Sequence, residues 1–298
     1  VSGADTWWAD SVALADPNLD DDRIAAAVAS AEQADVAVVV VGGNEATHRE
    51  GWWFDHLGDR SELTMAGRQD ELVETIAATG VPTIAVVMSG GPVDLRRTVA
   101  AADAVLWTSY AGEAGGHAVA DVLTGVCDAA GRLPVTFPRS AGQIPIYAGR
   151  QPSAGRGYFH GSADPLFPLG HGMSYTRFAT DKVTVAPEEI SVAELESGKG
   201  IEVTARITNI GERAGSELIR VTVDDEIASV AQPNHSTKGF CRVELAAGES
   251  AAVTIRLEQR SLSLLNHNMD WVVEPGRFGV GVLTGAETVA TRSLNVVA

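Results

Sequence analysis

The sequence is poor in basic residues. Its 298 residues include 22 lysines and arginines but 39 aspartates and glutamates, which gives a net charge of −17 at pH 7. Because the phosphates of nucleic acids are bound by clustered lysines and arginines, nucleic acid is not expected as a partner. A neutral substrate fits this charge better.

Long apolar runs and metal-binding patterns are also missing. No run approaches the roughly 20 apolar residues that span a bilayer, so no membrane partner is expected. The two cysteines, Cys127 and Cys241, are expected in different domains, which argues against a disulfide framework or a zinc site. The compartment stays open, with a slight preference for the cytoplasm over secretion. Neither a metal nor another cofactor is predicted, because the histidines lack paired spacing. Five of the seven histidines are His48, His56, His117, His160 and His171, which are scattered along the chain.

What the sequence does contain is a succession of two periodicities, and its length suggests two domains. Up to about residue 124, apolar runs of strand length alternate with segments of helical period, which predicts βαβ units and a parallel sheet. Beyond about residue 182 every segment alternates with a period of two, which predicts an all-β sandwich of about seven strands. Stiff connectors rich in proline and glycine lie between these regions. The first region has predicted helices at 22–33, 65–78 and 113–124, and predicted strands at 36–41, 83–88 and 104–109.

The stretch VAVVVVGGNEATHREGWWFDHLGDR, residues 36–60, joins the first strand to a long loop. Its apolar run has no polar alternation, so the strand is expected to be covered on both faces of the sheet. Ligands of open α/β sheets bind beyond the carboxyl ends of the strands, which places the loop where chemistry is usually done. Loops of about 20 residues are functional or disordered, and the large rings in this one argue against disorder. The loop is therefore predicted to border an active site.

Glu50 stands out in this loop because it lies between His48 and the pair Trp52 and Trp53. Apolar rings raise the pKa of a neighbouring carboxyl by desolvating its charged form, which keeps a general acid protonated near neutral pH. Tryptophan faces also stack on the apolar faces of sugar rings. The alternative is a solvated loop in which Glu50 pairs with an arginine and the tryptophans fill a gap between domains.

Several longer strings follow one another along the chain. They are VVVVGGNEATHREGWWFDHLGDRSELTMAGRQDELV, TIAVVMSGGPVDL, AVLWTSYAGEAGGHAVADVLTG, GRLPVTFPRS and PLFPLGHGMSYTRF, and then NIGERAGSELIRVTV, TKGFCRVELAAGES and WVVEPGRFGVGV. The first five, over residues 38–178, resemble the C-terminal α/β sandwich domain of family 3 glycoside hydrolases, the β-glucosidase and β-xylosidase group. The last three resemble the fibronectin type III-like domain of the same enzymes. The resemblance implies part of the α/β sandwich domain at 1–140, an extended connector at 141–181 and a fibronectin type III-like sandwich at 182–298.

The resemblance also implies a function, the retaining, exo-acting hydrolysis of terminal β-D-glycosides by two carboxyl groups. One is a nucleophile and the other a general acid/base. The family's acid/base glutamate lies in the loop after this strand and before an Asp-Arg pair, which is the position of Glu50. Glu45 is the second choice, and Asp59 and Arg60 match the family's structural pair. The residues predicted to bind substrate are Trp52, Trp53 and His48.

The chain departs from the family in one respect. The family's nucleophile is an aspartate of an N-terminal (β/α)8 barrel, and no segment of this sequence resembles that barrel. The pair Asp270-Trp271 matches the nucleophile's context superficially, but it falls in the predicted sandwich and is rejected. The chain is therefore expected to hold half of an active site and to bind a barrel-bearing polypeptide, either a separate subunit or a cleavage product. Trp7 and Trp8 are expected to need a surface to pack on, and a higher oligomer is left open. The alternative function is a non-catalytic carbohydrate-binding or structural module.

Overall fold

The computed structural model describes residues 21–44, 47, 60–149, 159 and 161–298. The chain forms two compact units. The first comprises Val1–His117 and Phe137–Ile144, and the second comprises Ala118–Thr136 and Pro145–Ala298. Among the described residues, no helix has the length and apolar character needed to cross a membrane.

A three-stranded parallel sheet forms the centre of the first unit. Its strands lie in the order β1-β2-β3 and comprise Ala37–Gly42, Thr83–Met88 and Ala104–Thr108. The pairing runs in register from Ala37 opposite Thr83 and from Ile84 opposite Ala104. The α-helices described in this part of the chain are α1 (Asp21–Ala31), α2 (Gln69–Ala77), α3 (Arg96–Ala101) and α4 (Gly115–Leu123), of which α4 belongs to the second unit from Ala118 onward. The predicted fold class, a parallel α/β sheet followed by an all-β region, is confirmed.

Strand β1 is buried on one face and exposed on the other. Ala37, Val39 and Val41 are 8%, 7% and 4% exposed, whereas Val38 and Val40 are 48% and 54% exposed. Helix α2 contacts both β1 and β2 through its buried apolar stripe. The expectation that β1 is covered on both faces is therefore wrong for this chain, because one face of the strand stays open to solvent.

Helix α3 lies between β2 and β3 and was missed by the sequence prediction. It is only six residues long and begins after Leu95, which provides no side-chain cap hydrogen bond. Packing holds it instead, since Leu95 is 2% exposed and Thr98 is fully buried. So short a segment gives no readable helical period in the sequence.

Two sheets packed face to face form the second unit. The larger has the strand order β5-β13-β12-β7-β8 and the smaller has the order β4-β6-β9, while β10 and β11 form a separate hairpin. The strands are β4 (Phe178–Ala186), β5 (Glu189–Ser191), β6 (Ile201–Asn209), β7 (Gly215–Asp225), β8 (Ser236–Leu245), β9 (Ser250–Leu257), β10 (Leu264–Leu265), β11 (Trp271–Val272), β12 (Gly276–Thr284) and β13 (Glu287–Val297).

The core of the sandwich follows the predicted alternation. The four residues of β6 that the sequence places on one face are all buried, with exposures of 0–2%; they are Ile201, Val203, Ala205 and Ile207. They belong to one apolar cluster with residues of β7, β12 and β13, among them Phe278 and Leu294. Both sheets therefore share a closed hydrophobic core.

Two short helices contradict the expectation that every segment beyond residue 182 is a strand. They are α5 (Val192–Glu196) and α6 (Gln259–Leu262). At the start of α5, the amide of Glu194 donates to Ser191 Oγ over 3.2 Å and the amide of Ser191 donates to the Glu194 carboxylate over 2.9 Å. This reciprocal capping box satisfies amides that a helix start leaves free, so even one turn is stable.

Two segments of the second unit lie outside the strands of the sandwich and are bonded to it. We call these segments, residues 125–136 and 165–176, the strap segments. The Asp128 carboxylate accepts hydrogen bonds from Ser174 Oγ (2.8 Å), the Tyr175 amide (2.8 Å) and the Ser216 amide (3.3 Å). One carboxylate thus ties both strap segments to the beginning of β7.

A buried ion pair also joins the straps to β7. The Arg132 guanidinium donates to both carboxylate oxygens of Glu217 over 3.0 Å, and the two side chains are 4% and 10% exposed. Nearby, Gly170 has a φ of +86°, and a side chain there would collide with the backbone of Gly285. The glycine is therefore required by close backbone approach as well as by its conformation.

The cysteines differ from their predicted placement. Cys127 lies in the second unit together with Cys241, although the two were expected in different domains. Both thiols are free, and burial raises the pKa of Cys241.

Candidate active site

The carboxyl ends of the three parallel strands lie along one edge of the first unit's sheet. Residues 43–68 follow β1, residues 89–95 follow β2 and residues 109–114 follow β3. Because ligands of such sheets collect at this edge, these loops form the candidate active site.

The end of β1 is fixed by a side chain from helix α2. The Gly42 amide donates to Gln69 Oε1 over 2.6 Å, and Gln69 Nε2 donates to the Gly42 carbonyl over 2.8 Å. On the other side, the Gly43 amide donates to the Met88 carbonyl over 2.8 Å. Gly42 has a φ of +139°, and a Cβ at this position would overlap the Met88 carbonyl. The point where the loop leaves the sheet is therefore held from both sides.

Local hydrogen bonds hold the first described residues of the loop. The Asn44 amide donates to Thr47 Oγ1 over 2.9 Å, and the Thr47 amide donates to Asn44 Oδ1 over 3.2 Å. Side chains that bond the backbone in this way form compact turns without a neighbouring strand.

The other end of the loop is tied down as it returns to α2. Arg60 donates to the carbonyl of Thr64, and the Asp94 amide donates to the Leu63 carbonyl over 2.8 Å. Met65 is 4% exposed and belongs to the core of the unit. Both ends of the loop are therefore fixed by the described residues that flank it.

The ends of β2 and β3 are linked by a buried serine. Ser89 is fully buried; its Oγ donates to the Gly91 carbonyl over 2.7 Å and accepts from Trp107 Nε1 over 2.8 Å. The edge of the Trp107 ring meets Phe137 at 5.2 Å between ring centroids. Tyr110, just beyond β3, is 52% exposed. This edge of the sheet thus combines a fixed floor with an accessible ring.

A buried carboxyl lies next to the Gln69 anchor in sequence. Asp70 is 4% exposed and accepts a hydrogen bond from Thr98 Oγ1 over 3.0 Å. Desolvation raises its pKa, while the Thr98 hydrogen bond and the charge of Arg97 act in the opposite direction. Since its bond is to α3, Asp70 links two helices rather than facing the carboxyl edge.

The predicted site residues Glu50, Trp52, Trp53 and His48 lie outside the described residues, as do Glu45, Asp59, Trp7 and Trp8. Of the expected Asp-Arg pair, the structure describes only Arg60. Asp270 lies in the turn of the β10–β11 hairpin of the second unit, where its amide donates to Asn266 Oδ1 over 3.0 Å. Across the described ranges, no three His, Cys, Asp or Glu side chains are grouped so that they could hold a metal ion.

Gln69 is the residue that the sequence reasoning missed. It is 3% exposed and precedes the buried residues Leu72, Val73 and Ile76 at spacings of three, four and seven. A polar residue on the apolar stripe of a helix must find partners inside the protein, so this spacing was an available signal.

Comparison with protein families finds two matches. Residues 6–175 match the glycosyl hydrolase family 3 C-terminal domain, and residues 218–286 match a fibronectin type III-like domain. These two matches follow one another in the order predicted from the sequence.

Individual relatives agree with this result. The periplasmic beta-glucosidase of Salmonella typhimurium is 35% identical over 277 residues, which cover 89% of this chain and 35% of the relative. A beta-xylosidase of Formosa agariphila is 35% identical over 276 residues, 91% of this chain and 37% of the relative. The chain thus spans little more than a third of the length of these relatives.

Solved structures of beta-glucosidases also resemble the chain. The b-glucosidase EmGH1 of Erythrobacter marinus has a TM-score of 0.89 and 34% identity, with 95% of this chain and 37% of that chain covered. The beta-glucosidase of Listeria innocua in complex with glucose has a TM-score of 0.84 and 28% identity, with 94% and 39% covered.

Proposed function

This chain belongs to glycoside hydrolase family 3, and from that premise we propose that it supplies the general acid/base of a retaining exo-β-glycosidase. The observation that carries the proposal is the place of Glu50 in the sequence. It follows β1, between two flanking segments that the structure describes: Gly42 is bonded to Gln69, and Leu63 is bonded to Asp94. A loop that carries a catalytic carboxyl needs fixed ends, because a general acid must lie within hydrogen-bond distance of the leaving oxygen.

In the proposed reaction Glu50 protonates the glycosidic oxygen while an aspartate outside this chain attacks the anomeric carbon. The leaving alcohol departs, and Glu50 then removes a proton from the water that hydrolyses the glycosyl-enzyme. Retaining enzymes hold the two carboxyl groups about 5 to 5.5 Å apart. Trp52 and Trp53 are proposed to contact the aglycone and His48 to bind the substrate, and Glu45 is the alternative acid/base.

The proposed substrate is a neutral terminal β-D-glucoside or β-D-xyloside. Two relatives carry the names beta-glucosidase and beta-xylosidase, and one similar structure holds glucose. The net charge of −17 agrees with a neutral sugar, since an anionic substrate would be repelled at long range.

The proposed partner is a polypeptide segment that bears the (β/α)8 barrel and its nucleophile. Support comes from β1, where Val38 and Val40 are 48% and 54% exposed on a strand type that normally has both faces covered. An obligate interface of this kind buries above roughly 2,000 Å² and is largely apolar. Intact mass measured under native and denaturing conditions tests the assignment. A native species that separates into this chain and a larger partner supports it, whereas a 31.1 kDa monomer that hydrolyses aryl β-glucosides alone contradicts it.

The acid/base role is tested by Glu50→Gln in the active enzyme that contains this chain. Substrates with poor leaving groups should react about 10² to 10⁴ times more slowly, the usual contribution of general acid catalysis. Aryl glycosides with very good leaving groups need no protonation, so their first step should change little. Azide should restore turnover by attacking the glycosyl-enzyme without base assistance.

Two further variants make this test specific. Glu45→Gln should not reproduce the leaving-group dependence, and Glu32→Gln, in the exposed turn that follows helix α1, should leave activity unchanged. An equal loss for all leaving groups in Glu50→Gln, without azide rescue, contradicts the assignment. If that variant keeps full activity while the chain binds sugar, the alternative of a non-catalytic carbohydrate-binding module is favoured.

A further inference from the structure

The side-chain amide of Gln69 takes the place of a neighbouring strand at the end of β1. The amides of Ala37 and Gly43 both donate to the chain of β2, to the carbonyls of Pro82, just before the strand, and of Met88. Backbone groups of successive residues in a strand point to alternate edges, so those of Gly42 point away from β2. Gln69 bonds both of them, over 2.6 Å and 2.8 Å. It therefore continues the hydrogen-bond ladder for one residue, at the residue where the strand ends.

Only a primary amide fits this position. Its oxygen accepts from the Gly42 amide while its nitrogen donates both to the Gly42 carbonyl and, over 2.9 Å, to the Ala66 carbonyl. A carboxylate has no donor and an apolar side chain has neither donor nor acceptor. Since Gln69 is 3% exposed, water cannot easily replace the missing bonds.

The same side chain bridges both ends of the loop. Gly42 immediately precedes the loop after β1, and Ala66 lies on its return to α2. Nε2 bonds the carbonyls of both, so Gln69 sets the separation between the start and the return of the loop. We infer that Gln69 is a positioning residue that places the acid/base carboxyl by fixing the two ends of its loop. This inference rests on the proposed role of Glu50.

Gln69→Leu and Gln69→Glu test the inference in the active enzyme that contains this chain. Leucine removes all three bonds, while glutamate keeps the acceptor for the Gly42 amide and removes the donors. Misplacement of a catalytic group by 1 Å can cost about 10²-fold, so we expect kcat/KM for alkyl glycosides to fall about 10- to 100-fold in the leucine variant and less in the glutamate variant. For dinitrophenyl glycosides, which need no acid, the loss should stay below about threefold. The exposed Gln33→Glu is the matched control and should change neither rate.

Two measurements distinguish the positioning role of Gln69 from a purely structural role. Active sites are titrated with a slow 2-fluoro glycoside, so that rates refer to folded enzyme only. Gln69→Leu is then repeated in the Glu50→Gln background, where it should cause no further loss with alkyl glycosides, because groups that act as a unit are not additive. Equal losses for all leaving groups, or the same loss in both backgrounds, overturns the inference.

Failure of the proposed function gives a different result from failure of this inference. If Glu50→Gln alone shows no leaving-group dependence, the acid/base assignment fails, whatever Gln69 does. If Glu50→Gln shows the dependence and neither Gln69 variant does, only the positioning role fails. Should the leucine variant not fold, the glutamate variant decides by the same criteria, because it retains one of the three bonds.

Discussion

The parallel sheet of the first unit and the sandwich of the second differ in how their faces are covered. In the sandwich, Phe278 and Leu294 are 1% and 0% exposed between two sheets that share one core. In the parallel sheet, Val38 and Val40 of β1 are about half exposed, at 48% and 54%. Because apolar burial is the main favourable term in folding, the second unit has what it needs for its own stability and the first lacks part of it.

The burial of ion pairs also differs between the two units. In the described ion pairs of the first unit at least one partner is well exposed, for example in the pair of Arg97 with Glu74, whose side chains are 56% and 38% exposed. The second unit instead buries both partners of an ion pair, Arg132 of a strap segment and Glu217 of β7. The candidate active site thus lies in the less completely covered unit, whereas the straps stabilise the sandwich.

The largest expected effect on stability is from breaking the buried pair. Arg132→Met leaves the Glu217 carboxylate buried without its partner, which should lower the free energy of unfolding of the second unit by about 3 to 5 kcal/mol. This free energy is measured by denaturant unfolding, followed by a spectroscopic signal that reports on the sandwich. The double variant Arg132→Met with Glu217→Leu should recover much of the loss, since an apolar pair avoids the uncompensated charge.

The exposed pair of Arg206 and Asp181 in the same unit is the control. Arg206→Met should change stability little, because solvent already screens both charges. If Arg132→Met is as mild as this control, the strap segments do not hold the sandwich through that pair.

The elements of the fold were largely predictable, because they depend on local periodicity. Strand β2 has the predicted bounds and β1 and β3 differ by a residue or less at each end, while helix α2 is four residues shorter at its start than predicted. Helices α3, α5 and α6 were not predictable from periodicity, since each has six residues or fewer.

The contacts that organise these elements were less predictable. Arg132 and Glu217 are 85 residues apart, and nothing local in either segment indicates the pairing. The loop after β1 was placed at the carboxyl edge by the sequence, but the anchor of that loop was not. Gln69 and Gly42 are 27 residues apart, and only the spacing of Gln69 with buried residues of α2 hinted at its role.

A smaller effect on stability is expected from substitutions in β1, and it should differ between the two faces of the strand. In this chain Val40→Thr should change stability within about 0.5 kcal/mol, as at an ordinary surface site, since its side chain is half exposed. Val39→Thr, on the buried face, should cost about 1 to 3 kcal/mol because its hydroxyl lacks a partner. In the assembled enzyme with the proposed barrel-bearing partner, Val40→Thr should become as costly as Val39→Thr.

Val39 and Val40 are adjacent residues whose side chains lie on opposite faces of β1. Thermal unfolding of both variants, in the isolated chain and in the assembled enzyme, gives the change in stability for each variant in each state. A cost for Val40→Thr that stays small in the assembly would mean that nothing covers this face, and the support that β1 gives to the partner would be lost.

The smallest expected effect is a pH dependence of the strap segments. His171 stacks on Phe167 with 4.5 Å between ring centroids. Burial, and secondarily the charge of Arg132, lower the pKa of His171 below the ordinary value of 6.5. The unfolded chain therefore binds a proton more readily than the folded one as the pH falls below about 6.5. Stability from this group is complete above that pH and is lost progressively as the pH falls towards the lowered pKa.

His171→Phe keeps a ring on Phe167 and removes the titration, so it should flatten the change in stability of the second unit between about pH 6.5 and pH 5, a range above most carboxylate pKa values. The exposed His117→Gln, in the first unit, is the control for a histidine substitution outside the unit that is measured. Denaturant midpoints across this range provide the measurement, and the difference between wild type and His171→Phe removes contributions shared by both. An identical slope in the two proteins would show that protonation of His171 does not weaken the straps.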